Sequence, residues 1–198
     1  MPDGAILRLV KEPNFVGLKT SDVLLHFASI SFDAATFEIF LGGALLNGAG
    51  LAVVLESSPS VAAMGRFIEE NKCTVAWLTA GLFNGLVDSN PAVLRPLRHI
   101  LARGEALSPR HVARAYAELP DVVITNGYGP TENTTFTCCY AVPRADNIAE
   151  WKSIPIGTTI TGTTVHVAGD NFSPVADGGW RARRIAHGGQ RLGAGLRE

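Results

Sequence analysis

The chain has 198 residues, is 46% apolar and carries a formal net charge of −1. That allows one sizeable buried core with a small appendage, and it gives no global field to attract nucleic acid or an acidic membrane surface. No apolar run reaches the roughly 18 residues of a membrane span, and the start, MPDGAILRLVK, has no basic leader before an apolar core. Cys73, Cys138 and Cys139 have neither metal-ligand nor disulfide spacing, which predicts reduced thiols in a cytoplasmic protein. His26, His99, His111 and His166 show no ligand pattern either.

Taken in order, residues 24–30 predict a buried strand. Residues 33–46 predict a helix, with Ser31 or Asp33 as its cap, Asn47-Gly48 as its stop and the Gly42-Gly43 pair as a weak point. A strand at 51–55 is followed by Ser58-Pro59, a cap and first-turn proline opening an amphipathic helix to Lys72. Then come a strand at 73–78, a helix at 80–88, a break at Asn90-Pro91, a strand at 99–102, a helix at 108–119 and a strand at 121–125. Strands separated by helices of this length predict an α/β fold, a largely parallel sheet with flanking helices. After Tyr140 the pattern changes to a loop at 143–155 and then a small β segment, with a strand at 163–169 and a turn at Asp170-Asn171. The division expected is an α/β part at 1–141, the start of a β part at 142–177, and a tail at 178–198. That tail has five arginines and no acid before Glu198, which predicts a solvated, disordered or aberrant segment.

In parallel sheets ligands bind beyond the carboxyl ends of the strands. Here that rule selects residues 31–37, 77–81, 102–107 and 126–135. The last of these reads NGYGPTENTT. Gly127 and Gly129 allow close approach of backbone to a ligand. Tyr128, between them, offers a ring face for a planar base. Thr131 and Thr134 carry hydroxyls for phosphate oxygens, and Glu132 is a hard oxygen ligand suited to Mg²⁺. The residues fit half of a nucleotide site. They fit a structural connection between two strands as well, and the chemistry alone leaves both readings open. A Walker-type loop is absent.

The string YGPTE, flanked by N-G and N-T-T, resembles a core motif of adenylate-forming enzymes. Residues 31–54, the block GEALSP at 104–109 and residues 153–167 are similar to further segments of the same family, in the right order and at the right intervals. Over about residues 5–177 the chain resembles the adenylation domain of nonribosomal peptide synthetases. The resemblance implies attack of an amino-acid carboxylate on the α-phosphate of ATP, with Mg²⁺ and release of pyrophosphate. It implies that Tyr128 stacks on adenine, Thr131 meets the α-phosphate and Glu132 binds Mg²⁺. Arg103, Gly104 and Glu105 would cover the other adenine face, with Asn126 and Gly127 near its amino group. It further implies that Asp33 pairs with the substrate α-ammonium, although a helix cap remains the alternative for that residue.

By the same resemblance the side chain is selected by Asp33, Ala34, Phe37, Trp77, Leu101, Arg103, Gly127, Thr135 and Phe136. The set is similar to a valine-selecting pattern at all but two positions; ordinary core packing is the alternative for Phe37, Trp77 and Phe136. Arg103 departs most, because a glycine is usual there. A guanidinium could turn to solvent, favour an acidic substrate or damage the site. Extra residues at Phe40, Leu41, Gly42 and Gly43 predict a bulge in the helix carrying Phe37. The family's phosphate loop, ribose-binding aspartate and catalytic lysine match nothing in these residues. The reading is therefore a fragment inactive alone, working with a phosphopantetheine-bearing carrier domain and the other synthetase parts. A non-catalytic binding remnant and a piece of an acyl- or aryl-acid ligase are the alternatives. The stretch GGWRARRIAH lacks the strand expected there, a pattern that a local reading-frame slip would leave.

Overall fold

The structure is a computed structural model and describes residues 3–31, 33–41, 46–168 and 184–188. Five strands run parallel: β1 (Val23–His26), β2 (Gly50–Val53), β3 (Val75–Thr79), β4 (His99–Arg103) and β5 (Val123–Tyr128). Two antiparallel strands, β6 (Cys138–Ala141) and β7 (Thr158–Thr159), extend the sheet to the order β2-β1-β3-β4-β5-β6-β7. The α/β class with a largely parallel sheet is therefore the one observed.

The inner parallel strands β1, β3 and β4 are apolar at consecutive positions because both of their faces are buried. Leu25, Ala76, Ile100 and Ala102 face one layer, formed by α3 (Val61–Glu70), α4 (Ala80–Ser89) and α5 (Pro109–Glu118). Leu24, Val75 and Leu101 face the opposite layer, where α1 (Asp3–Val10) and the rings of Phe15, Phe37 and Phe136 pack. Alternate side chains along a strand point to opposite faces, so each strand supplies both cores.

Several boundaries differ from expectation for identifiable reasons. The cap of α3 is Ser60, whose hydroxyl accepts from the Ala63 N–H at 3.1 Å; the Ser58-Pro59 pair lies outside the helix. β1 stops at His26, short of residue 30. β5 continues to Tyr128 because β6 pairs with it (Asn126 with Tyr140, Gly127 with Cys139, Tyr128 with Cys138), so the first three residues of the supposed loop are strand. No loop separates β3 from α4: Thr79 ends the strand and caps the helix by accepting from the Leu82 N–H. Within the expected tail, Arg184–Gly188 forms strand β9, antiparallel to β8 (Thr164–Ala168). The Gly42-Gly43 weak point, the Asp170-Asn171 turn and the rest of the tail lie outside the described residues.

At the amino ends of the strands one carboxylate ties three elements together. Asp22 accepts from the Lys19 N–H at 2.7 Å, the Thr74 hydroxyl at 2.8 Å and Arg98 Nε at 2.7 Å. Burial of Asp22 raises its pKa, but hydrogen bonds from Arg98, the Lys19 amide and Thr74 outweigh that and bring it down to about 2. A carboxylate with a depressed folded pKa adds stability above its unfolded pKa of about 3.9 and loses it as pH falls. The stability contributed by Asp22 is therefore expected to be complete above about pH 5 and to vanish as pH approaches 2. Asp22→Ala should cost about 3 kcal/mol at neutral pH and flatten the acid limb of the profile, as read by urea denaturation from pH 2 to 7. An unchanged acid limb would contradict this role.

Candidate functional site

In the strand order 2-1-3-4-5 the winding reverses between β1 and β3, which opens a crevice at their carboxyl ends. Asp33 follows the loop after β1, Trp77 lies within β3, and Arg103 and Tyr128 are the last residues of β4 and β5. Asp33 is the first residue of a short helix, α2 (Asp33–Thr36), and is only 8% exposed. Arg103 turns inward. Its Nη1 donates to Asp33 Oδ1 at 2.8 Å and its Nη2 to the Gly129 carbonyl at 2.6 Å. One guanidinium thus spans the β1 loop and the glycine that follows Tyr128. The Thr135 hydroxyl donates to the Asp33 backbone carbonyl at 2.8 Å, a second tie between the same loops. Of the three fates open to Arg103, turning to solvent is the one this geometry excludes.

The segment after Tyr128 is held in a costly conformation. Thr134 and Thr135 have φ of 53° and 60°, the left-handed region that β-branched residues avoid. Both are almost fully buried. Their geometry is imposed from α1: Arg8 donates to the Asn133 carbonyl at 2.5 Å, the Phe136 carbonyl at 3.3 Å and the Thr163 hydroxyl. The Thr137 N–H donates to the Tyr128 carbonyl at 2.7 Å, folding the segment back on β5. That fold-back explains the glycines. A Cβ on Gly129 would lie 2.6 Å from the Thr137 backbone nitrogen, and one on Gly127 would lie 2.2 Å from the Phe136 ring.

Beyond α2 the helix widens into a π-helical turn, Phe37–Leu41, which is the expected bulge. It carries Glu38, which pairs with His26 Nδ1 at the end of β1 and accepts from the Ala28 N–H at 3.2 Å. Burial raises the Glu38 pKa to about 7, in spite of lowering hydrogen bonds from His26 and the backbone. The pair pins the β1 loop against the π turn, so His26 is a packed histidine, as expected.

The expected site residues divide by exposure. Gly104, Glu105, Thr131 and Glu132 are exposed, and Tyr128 is half-buried. Gly104 has a φ of 110° and open space around it. Asn126 is buried and donates to the Pro155 carbonyl at 2.8 Å. Ala34, Leu101 and Gly127 are buried. Phe37 and Phe136 are fully buried and meet edge-to-face at 5.3 Å, with Phe15 beside both. Trp77 packs on the same cluster from β3. Among the described residues no group of three or more His, Cys, Asp or Glu could hold a metal ion. A single exposed carboxylate such as Glu132 suits a cation that keeps its waters and shares phosphate oxygens.

Arg8 and Glu38 were not foreseeable as site residues from their own segments. The available signal for Arg8 was a cation in the last turn of an amphipathic helix. For Glu38 it was a carboxylate between apolar neighbours Phe37 and Ile39.

A family model described as AMP-binding enzyme matches residues 4–179. Tyrocidine synthase 3 of Brevibacillus parabrevis is 44% identical over 170 residues, covering 85% of this chain and 2% of its own length. Gramicidin S synthase 2 of Brevibacillus brevis is 37% identical over 163 residues, covering 82% of this chain and 4% of that protein. Among solved structures, holo-PA1221, a nonribosomal synthetase protein with adenylation and carrier domains bound to a vinylsulfonamide inhibitor, superposes with a TM-score of 0.82 at 40% identity. That match covers 91% of this chain and 31% of PA1221. The N-terminal subdomain of Klebsiella oxytoca NpsA, in complex with 3-hydroxybenzoyl-AMSN, gives a TM-score of 0.79 at 28% identity, over 92% of this chain and 44% of that subdomain. The chain thus spans a few per cent of these synthases and less than half of either solved chain.

Replacing Arg8 by alanine should leave the carbonyls of Asn133 and Phe136 without their donor and release the strained threonines. The expected cost is about 2–3 kcal/mol in chemical denaturation, with faster amide hydrogen exchange confined to residues 133–137. Unchanged protection of those amides would show that the clamp is not what holds the segment.

Proposed function

Because this chain belongs to the AMP-binding enzyme family and is a segment of an adenylation domain of the nonribosomal peptide synthetase type, we propose that it builds part of a site forming aminoacyl-AMP. In this reading a carboxylate oxygen of the amino acid attacks the α-phosphorus of ATP, the bond to the β-phosphate breaks, and pyrophosphate leaves. The Tyr128 ring lies against adenine, with the backbone of Arg103, Gly104 and Glu105 on its other face and Asn126 and Gly127 at its amino edge. The Thr131 hydroxyl meets the α-phosphate. Glu132 would hold Mg²⁺, which neutralises phosphate charge when bound. Asp33 receives the amino group. Positioning and charge neutralisation carry this kind of chemistry, so the residues act by where they are held.

The observation that supports the reading best is the bridging by Arg103 of Asp33 and the Tyr128–Gly129 backbone. It brings the amine-seeking carboxylate and the nucleotide motif to one crevice. Phe37, Leu101 and Phe136 would suit a branched aliphatic side chain such as valine, but a guanidinium beside Asp33 does not. The acyl-adenylate would then pass to the phosphopantetheine thiol of a carrier domain. An ion pair that closes the crevice to any amino acid would favour a non-catalytic binding remnant instead.

ATP–pyrophosphate exchange tests this. The 198-residue polypeptide is expected to show no turnover by itself. Supplied with the remaining parts of a synthetase module, it should exchange in a Mg²⁺-dependent way, and Glu132→Gln should lower the rate about 100-fold. Robust exchange by the isolated polypeptide would overturn its dependence on other parts. Exchange indifferent to Glu132 would overturn the metal role.

A further inference from the structure

We infer that the crevice selects an α-amino acid carrying a second, side-chain carboxylate, with Arg103 as the residue that reads it. The inference rests on the adenylating role proposed above and names the substrate class of that same site.

The argument starts from unmet valences. Asp33 is 8% exposed, yet only its Oδ1 is engaged by Arg103; among the described residues its buried Oδ2 has no hydrogen-bond partner. A buried carboxylate oxygen left so is expensive unless a donor comes to it. Trp77 Nε1 is a buried donor with no acceptor among the described residues. Trp77 and Leu101 are register partners, and Thr79 and Arg103 are the next pair facing the same way. Trp77 and Arg103 therefore project from one face of adjacent strands. The guanidinium uses Nη1 and Nη2 once each, on Asp33 and the Gly129 carbonyl, and has five donors in all. Among the described residues the crevice strands thus carry one buried acceptor without a donor, Asp33 Oδ2, and one buried donor without an acceptor, Trp77 Nε1.

Charge decides what can satisfy both. Arg103 and Asp33 are buried together, with side chains 13% and 5% exposed, and balance each other. An α-ammonium reaching Oδ2 brings a second cation to one carboxylate. The substrate's own α-carboxylate is not available to Arg103, because in the proposed reaction it faces the α-phosphorus of ATP. A neutral side chain would leave the crevice with an unpaired buried cation, which is strongly unfavourable. A side-chain carboxylate restores the balance and accepts from Arg103 and Trp77 Nε1. The ligand that completes the crevice is therefore an ammonium and a carboxylate on one short frame.

The test is calorimetric titration of the full chain with 5′-O-sulfamoyladenosine, bare or acylated with aspartate, glutamate or valine. An acidic analogue is expected to bind at least ~10-fold more tightly than the valyl one. Arg103→Gly is expected to weaken the acidic analogue by at least ~10-fold and to tighten the valyl one. The inference is overturned if the unmodified chain binds the valyl analogue as well as both acidic ones, a comparison that holds even if the variant does not fold. It is also overturned if a folded Arg103→Gly chain keeps the acidic preference. Binding of the bare compound with no gain from any acidic side chain would remove the selectivity and leave the adenylating role intact. Binding of nothing, the bare compound included, would overturn the selectivity as well, while the adenylating role is decided by exchange with the remaining synthetase parts supplied.

Discussion

Asp33 is held at both of its ends, and the crevice takes its shape from that. Its carbonyl accepts from Thr135 and its carboxylate from Arg103, while Arg103 also reaches Gly129. Three strand ends meet on one residue that is almost out of contact with water. In such surroundings a charge-assisted contact is strong, and a missing partner is correspondingly costly. The same contact that orders the loops also sets the electrostatic terms on which a ligand can enter.

The ion pair leaves its surroundings unevenly satisfied. The carbonyls and hydroxyls that shape the backbone are engaged, through Arg8, Thr135 and Arg103. Among the described residues the buried polar atoms left over are Asp33 Oδ2, Glu38 Oε1, Trp77 Nε1 and Asn84 Oδ1, the first and third of which the proposed ligand would meet. Phe15, Phe37 and Phe136 pack pairwise, Phe136 edge-to-face on each of the other two and Phe15 tilted on Phe37.

Much of the sheet is legible in the sequence, because its inner parallel strands are buried on both faces and read as continuous apolar runs punctuated by caps. What is not legible depends on partners far away in the chain. Nothing local says that Asn126, Gly127 and Tyr128 continue a strand; the pairing with Cys138, Cys139 and Tyr140 does. The motif residues of the crevice could be picked out by type and order. The direction of Arg103 could not, since it follows from an acceptor 70 residues earlier. The same holds for Arg8, whose acceptors lie more than 120 residues on. Glycines 127 and 129 are legible as special but for a different reason: they make room for Phe136 and the backbone of Thr135 and Thr137.

The reach of Arg8 has a practical meaning for anyone cutting the chain. One side chain near the start bonds to carbonyls at 133 and 136 and to a hydroxyl at 163. The β strands and the helices between them look like a self-sufficient cassette that could be excised from residue 20 to residue 142. Such an excision would keep every parallel pairing and discard both halves of the brace on the left-handed threonines. The smallest piece that preserves the crevice therefore runs from α1 through Thr163, although neither terminus of that span contributes a residue to the crevice itself.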